Sequence, residues 1–206
     1  MKYLTVIISV MVCVVAAFIA ASQTDLFEWT NLNNDKVVER SDGLTARPKW
    51  ANVKKSFTIE KDDVFLLGAY EMPEAANKRL SNGYRIAENN AKTGLAAEIQ
   101  RRLVSVFQKE EDKEIIEGQA YLIGKETSKL VASSLHPTDQ YYEKVFRETN
   151  SDGERDLIYR IFVRVSMSES DFKEAVHEAI RRNSGKNGIT EDFATKVEER
   201  WDQIKK

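Results

Sequence analysis

The stretch LIYRIFVRVSM, Leu157 to Met167, decides the fold. Every second residue in it is apolar or aromatic, and two arginines stand among the residues between them. Alternation with a period of two is typical of a β-strand that buries one face. The pattern predicts a core face of Leu157, Tyr159, Ile161, Val163, Val165 and Met167, and an opposite face of Arg160, Phe162 and Arg164.

This strand is predicted to be the second arm of a hairpin. Its first arm runs from Gln140 to Glu148, and the turn residues Asn150 to Gly153 lie between the arms. Earlier in the chain, the apolar run Val64 to Tyr70 indicates a strand covered on both faces. Ser56 to Glu60 could extend or precede that run, so an antiparallel sheet of at least three strands is expected.

Two long helices are predicted between these strands. Apolar residues three or four positions apart draw one stripe through Tyr84, Ala87, Ala91, Leu95, Ile99, Leu103 and Val106. A weaker stripe follows through Ile116, Ala120, Ile123, Thr127, Leu130 and Ser134. The dipeptide His136-Pro137 ends that second helix, because a residue before proline is pushed out of the α region.

Capping residues predict two further helices. Ser168, with Asp171 three residues later, opens a helix that runs to about Arg182. Thr190 caps a last helix with one apolar side, made of Phe193, Val197, Trp201 and Ile204. The predicted fold class is therefore α+β: an antiparallel sheet with two long helices packed on one face, plus a C-terminal helix.

The first residues have the pattern of an export signal. Lys2 precedes the apolar run Leu4 to Ile19, and Ala20-Ala21-Ser22 supplies the small residues that a signal peptidase reads. Cleavage before Gln23 is expected. The alternative is an uncleaved anchor, because the apolar stretch approaches the roughly 18 to 20 residues that span a membrane. A lipoprotein is disfavoured, since Val12 precedes Cys13 where a small residue is required.

Composition limits what the exported part can do. Cys13 is the single cysteine, so no disulfide, zinc-thiolate site or cysteine nucleophile is available after the leader. The 31 basic and 33 acidic residues are interspersed, which disfavours general nucleic-acid binding. The expected organisation is a signal peptide or anchor at 1–22, a flexible tether at 23–47, an α+β domain at 48–182, and a joint with an amphipathic helix at 183–206.

Four segments resemble the LPP-twenty-like lipoprotein family, which is similar to the N-terminal domain of flagellar assembly protein T. They are RPKW at Arg47 to Trp50, FLLGAY at Phe65 to Tyr70, AENNAKTGLAAEI at Ala87 to Ile99, and YRIFVRVSMSESDF at Tyr159 to Phe172. The resemblance implies an exported protein of the bacterial envelope without a catalytic site. It carries no functional residue over to this chain, because the matching positions are core positions.

Three chemical sites are conceivable from the sequence, and each has a simpler interpretation. Ser133 or Ser134 with His136 and Asp139 could form a hydrolase triad, but no nucleophile-elbow pattern surrounds either serine. His177 with Glu174 and Glu178 does not complete a zinc sphere. The acidic run at 110–112 lacks the glycine-turned spacing of a calcium loop. We therefore expect no catalytic site, no metal and no cofactor.

Two surfaces are candidates for partner binding. One is the strand face with Arg160, Phe162 and Arg164, which could bind an anion, a peptide or a single strand of nucleic acid. The interpretation that we favour is that this face is covered by another helix, or paired across the hairpin with acids such as Glu143. Arg160→Ala should leave stability nearly unchanged, and a large loss would mean that the arginine is part of a buried network. The other surface is the last helix, with Phe193, Val197, Trp201 and Ile204, which packs on its own domain or on a partner.

The function expected from these observations is a non-catalytic structural, assembly or interaction role in the cell envelope, in a flagellar or other surface complex. The alternative is a periplasmic enzyme or small-ligand-binding protein. The chain would be periplasmic, or anchored to the inner membrane by an uncleaved leader that makes its only membrane contact. An envelope protein is the expected partner.

Overall fold

The structure is a computed structural model, and it describes residues 35–74, 79–109, 113–148, 155–185 and 189–205. The predicted leader, the hairpin turn and the acidic run at 110–112 lie outside these residues. The elements are β1 (Lys36–Arg40), β2 (Phe57–Glu60), β3 (Asp63–Pro73), α1 (Leu80–Phe107), α2 (Lys113–Val131), β4 (His136–Glu148), β5 (Arg155–Ser168), α3 (Glu169–Asn183), α4 (Glu191–Glu199) and α5 (Trp201–Ile204).

The five strands form one antiparallel sheet in the order β1-β4-β5-β3-β2. The alternating strand β5 is central, with Ile161 opposite Tyr142 of β4 and Tyr70 of β3. The α+β class and the antiparallel sheet are confirmed. Ser56 to Glu60 contributes the separate edge strand β2, which precedes β3.

The predicted tether at 23–47 is wrong for its described part. Lys36–Arg40 forms β1 and pairs with β4, with Val37 opposite Val145. The segment has no apolar periodicity because it is an edge strand: backbone hydrogen bonds to one neighbour hold it, and three of its five side chains are exposed. The folded part therefore begins before Pro48.

Helix α1 lies directly on one face of the sheet, which we call the helix side. Its buried stripe includes Ala87, Ala91, Leu95, Ile99 and Leu103, as predicted. The contact is close because Gly68 of β3 has no side chain: a Cβ there would lie 1.8 Å from the carbonyl oxygen of Ala87. The core face of β5 meets this helix through Ile161, Val163, Val165 and Met167, which are all buried.

Helix α2 packs against α1 and α3 on the same side of the sheet. Gly124 allows the approach to α1, since a Cβ there would lie 2.4 Å from the carbonyl oxygen of Ala96. Ile116, Ala120 and Ile123 of the predicted second stripe are fully buried. Both long helices thus contribute to one core on the helix side.

The C-terminal helices close this core. The hydroxyl of Ser168 accepts a hydrogen bond from the Asp171 amide, and that of Thr190 accepts one from the Phe193 amide, as predicted. The last-helix residues are buried in their own domain: Trp201 packs on Phe172 at 5.7 Å, and Phe193 on Phe107 at 5.2 Å. A partner-binding role for Phe193, Val197, Trp201 and Ile204 is therefore wrong, because burial in cis already uses the whole stripe.

Candidate functional site

The opposite face of the sheet, which we call the second face, is covered by the segment Arg47–Lys55. Phe162 of β5 is fully buried there, with Tyr141 at 5.8 Å and the Arg47 guanidinium at 5.0 Å from its ring centre. Trp50 meets the Tyr141 ring edge-on at 6.4 Å. Phe162 is thus unavailable to a partner: this face is covered, as the favoured interpretation expects, but by the short segment Arg47–Lys55 and not by another long helix.

Arg160 is also unavailable to a partner. Its side chain is 8% exposed and binds Glu71 at 2.9 Å and the carboxylate of Asp35. Arg147 donates two hydrogen bonds to the Glu71 carboxylate, of 2.7 and 2.8 Å. Burial lowers the pKa of Arg160. The structure thus contradicts the exposure on which the neutral Arg160→Ala expectation rests, and we now expect a loss of stability, because the arginine belongs to a buried charge network.

Glu143 lies opposite Arg160 in register but has other partners. Arg47 donates to its two carboxylate oxygens, at 3.1 and 2.5 Å, and the Tyr141 hydroxyl donates at 2.9 Å. Burial acts to raise the pKa of Glu143, but Arg47, Tyr141 and Arg40 together hold that pKa below its usual value. A fully covered carboxylate therefore fixes the segment that contains Arg47 to the sheet.

Of the three β5 residues predicted to form a contact surface, Arg164 alone stays partly exposed to solvent. Its guanidinium lies 4.4 Å from the Phe65 ring centre and 5.5 Å from that of Trp50. Asp139 accepts a hydrogen bond from Nε of Arg164 at 2.8 Å, and its carboxylate lies 2.7 Å from Nη2. The cation therefore lies over two aromatic rings and is largely neutralised.

Beside Arg164, the second face opens into a cleft of about 390 Å³. We call it the basic cleft. Lys49, Trp50 and Lys55 come from the covering segment, and the sheet supplies Thr58, Glu60, Phe65, Leu66, Leu67 and Arg164. Lys49 and Lys55 are exposed, and within the described ranges neither makes an ion pair. Two exposed lysines and two aromatic rings, against one acid in the lining and an arginine already paired with Asp139, suit an anionic ligand with an apolar part.

The sequence interpretation missed Lys49, Trp50, Lys55 and Phe65. A signal was present, because RPKWANVKK from Arg47 to Lys55 has four cations and no acid within nine residues. That composition is typical of an electrostatic contact surface. What the signal could not give is the position of this segment over the sheet, which depends on Glu143.

The hydrolase candidates do not come together. Asp139 is held by Arg164, and the His136 ring donates from Nδ1 to the Ser134 carbonyl oxygen at 3.1 Å. Ser133 and Ser134 are exposed at the turn before β4. Their side chains therefore have no base oriented by a third group.

The metal candidates are also separated. His177 packs edge-on against Trp201 at 5.8 Å, while Glu178 binds Arg181 and Arg182. No cluster of three or more His, Cys, Asp or Glu side chains suited to a metal occurs in the described residues. A shallower groove near 320 Å³ passes Glu174 and Glu178 between α2 and α3, where the acids and arginines neutralise one another. The basic cleft is the stronger candidate site.

None of the helices in the described part has the length and apolarity that a membrane span requires. Comparison of the chain with protein-family models, with curated proteins and with solved structures gave no match. The resemblance to the LPP-twenty-like lipoprotein family therefore stays an expectation.

Proposed function

We propose that this chain is an exported, non-catalytic interaction protein of the bacterial cell envelope, which binds a partner through the basic cleft. The observation that carries the proposal is the cleft itself, where Lys49 and Lys55 stand exposed beside two aromatic rings. Charged and aromatic side chains around an open depression favour recognition of another molecule. The export signal in residues 1–22 supports a periplasmic location, or an inner-membrane anchor if the leader is retained.

The buried charges favour a scaffold over an enzyme. Arg160 and Glu143 are paired within the domain, Arg160 with Asp35 and Glu71, and Glu143 with Arg47, which holds the covering segment on the sheet. Such a network positions the cleft without offering a reactive group to solvent. The role that follows is a structural or assembly component of an envelope complex, such as a flagellar or other surface assembly.

Site-specific photocrosslinking in living cells tests this proposal. A crosslinking amino acid replaces Lys55 in the cleft or, as the matched control, Lys54, which is exposed but does not line the cleft. We expect a discrete envelope-protein adduct at position 55 and a weaker one or none at 54. Equal labelling at both positions, or adducts with cytoplasmic proteins, would contradict the proposal.

The size and location of the chain test its export. Fractionation should place the protein in the periplasm at a mass reduced by residues 1–22, or in the inner membrane at full mass. Recovery at full mass in the cytoplasm would remove the envelope role. A turnover of substrate by the purified chain, abolished by a change at the cleft, would favour the enzyme alternative.

A further inference from the structure

We propose that the basic cleft receives an acidic side chain from an extended peptide segment of the partner, and that this segment pairs along the free edge of β2. The inference rests on the proposed function, since it names the chemistry of that partner. An acidic peptide is the one occupant argued here, and small anions and lipid surfaces serve as alternatives in the test.

The edge of the sheet at β2 is open to an added strand. β2 stands last in the strand order, and in the described part of the chain its backbone pairs with β3 alone. An edge strand presents unpaired backbone N–H and C=O groups to one side. An extended peptide can pair with these groups and gain affinity with little dependence on its sequence.

The register of the sheet would direct alternate peptide side chains toward the cleft. Thr58 of β2 lies opposite Phe65 of β3, and both line the cleft on the second face. Residues directly opposite one another on neighbouring strands project to the same face. A peptide residue placed opposite Thr58 would therefore point over the second face, toward Lys49 and Lys55.

The charges select the type of side chain. Arg164 is already neutralised by Asp139, so the cations left for a ligand are Lys49 and Lys55. Glu60, two residues beyond Thr58 in β2, is the one acid in the lining and lies 4.0 Å from the Arg164 guanidinium. An acidic peptide residue near Thr58 is attracted by two lysines, while Trp50 and Phe65 offer rings for an aromatic neighbour.

A titration followed by nuclear magnetic resonance tests the proposal on the exported form of the chain. The probe is an alternating Thr-Glu peptide with one Phe, and the matched peptide has Lys in place of each Glu. We expect the acidic peptide to shift the backbone amides of residues 57–60 together with those near Lys49 and Lys55. The Lys peptide should bind at least about tenfold more weakly, because its charges meet two lysines.

Charge reversal of the cleft provides the decisive variant. Lys49→Glu with Lys55→Glu should lose the acidic peptide and gain the Lys peptide, whereas Lys54→Glu should behave as the unchanged chain. All three positions are exposed, so thermal melting should be nearly the same in the variants. Acidic-peptide binding that survives the double reversal would overturn the proposal.

Two further titrations separate other anions from a peptide. Inorganic phosphate and phosphatidylglycerol vesicles are added to the same protein. Saturable binding of either one at the cleft, with no shift of residues 57–60 by the acidic peptide, overturns the peptide inference and leaves an anion site. Peptide binding without an in-cell adduct at position 55 would instead leave this inference standing and remove the envelope role.

Discussion

The two faces of the sheet differ in the side chains that cover them. On the helix side, β5 presents Ile161, Val163 and Val165 to α1, and apolar contact fills the space. On the second face, the same strand directs Phe162 and Arg164 toward the covering segment Arg47–Lys55, and Arg160 toward Asp35 and Glu71. One strand thus contributes to a large apolar core on one face, and to a small aromatic core with a buried charge network on the other. The apolar core depends on filled volume, whereas the charge network depends on particular partners.

Val163→Asp should have the largest effect, because Val163 is fully buried on the helix side. A carboxylate there has no cation to pair with, and the expected cost is more than about 4 kcal/mol, enough to unfold the domain. Urea unfolding measures it. Val38→Asp on the exposed edge strand is the control and should remain near the unchanged chain. A soluble Val163→Asp protein with a cooperative melt would mean that the faces are assigned in reverse.

Arg160→Ala should have the next largest effect and is the sharpest test of the second face. Asp35 and Glu71 would lose a buried partner, and breaking such a pair costs roughly 3 to 5 kcal/mol, here about 3 because Arg147 still pairs with both carboxylates. Arg101→Ala, which breaks an exposed pair with Glu98, should cost less than about 0.5 kcal/mol. If chemical denaturation gives the same loss of unfolding free energy for both variants, the buried charge network contributes no more to stability than a surface ion pair.

Acid should weaken the second face before the helix side. The pKa of Glu143 is lower in the folded chain than its ordinary value, so its contribution is complete above that ordinary value. The contribution is lost as the pH falls below the ordinary value and through the lowered folded pKa. Unfolding free energy measured across this range should fall less steeply for Glu143→Gln than for the unchanged chain. An identical slope in both proteins would show that other carboxylates set the acid limit.

Alkaline pH should have the smallest effect on stability, and part of that effect comes from the ionisation of Tyr142 on the helix side. A hydrogen bond to Glu39 and burial raise the pKa of Tyr142 to about 12, from its ordinary 10.0. The contribution is therefore present below pH 10 and is lost as the pH rises through about 12. Tyr142→Phe should reduce this slope without abolishing it, since burial and Glu143 also raise the pKa of Tyr141. No change in alkaline unfolding would contradict the assignment.

Sequence reasoning reached the helix side because its signals are local. The alternation in β5, the stripe Ala87 to Leu103 and the capping residues Ser168 and Thr190 each lie within one element. The particular contacts of the second face could not be predicted, because their partners are distant in sequence: Asp35 binds Arg160, and Arg47 binds Glu143. Charged residues in an edge strand and in a proline-containing segment look like solvated chain until their partners are known.

The candidate site shows the same difference between features that local sequence predicts and contacts that depend on distant residues. Arg164 could be placed on the second face from its position in β5, although not over the rings of Phe65 and Trp50. The apolar stripe of the last helix was recognised, but periodicity does not say whether a stripe packs in cis or on a partner. That outcome depends on Phe107 and Phe172, which lie in distant parts of the chain.

The closing of the core by α4 and α5 has a consequence for how the domain is made. Phe193, Val197, Trp201 and Ile204 are translated after every element that they cover. During synthesis, Phe107 lacks Phe193 and Phe172 lacks Trp201 until the last residues are added, although Phe172 already has Phe57 as a neighbour. The domain therefore reaches its full stability only once residues 193–204 have been made, so the C-terminal end of the chain decides when folding can be completed.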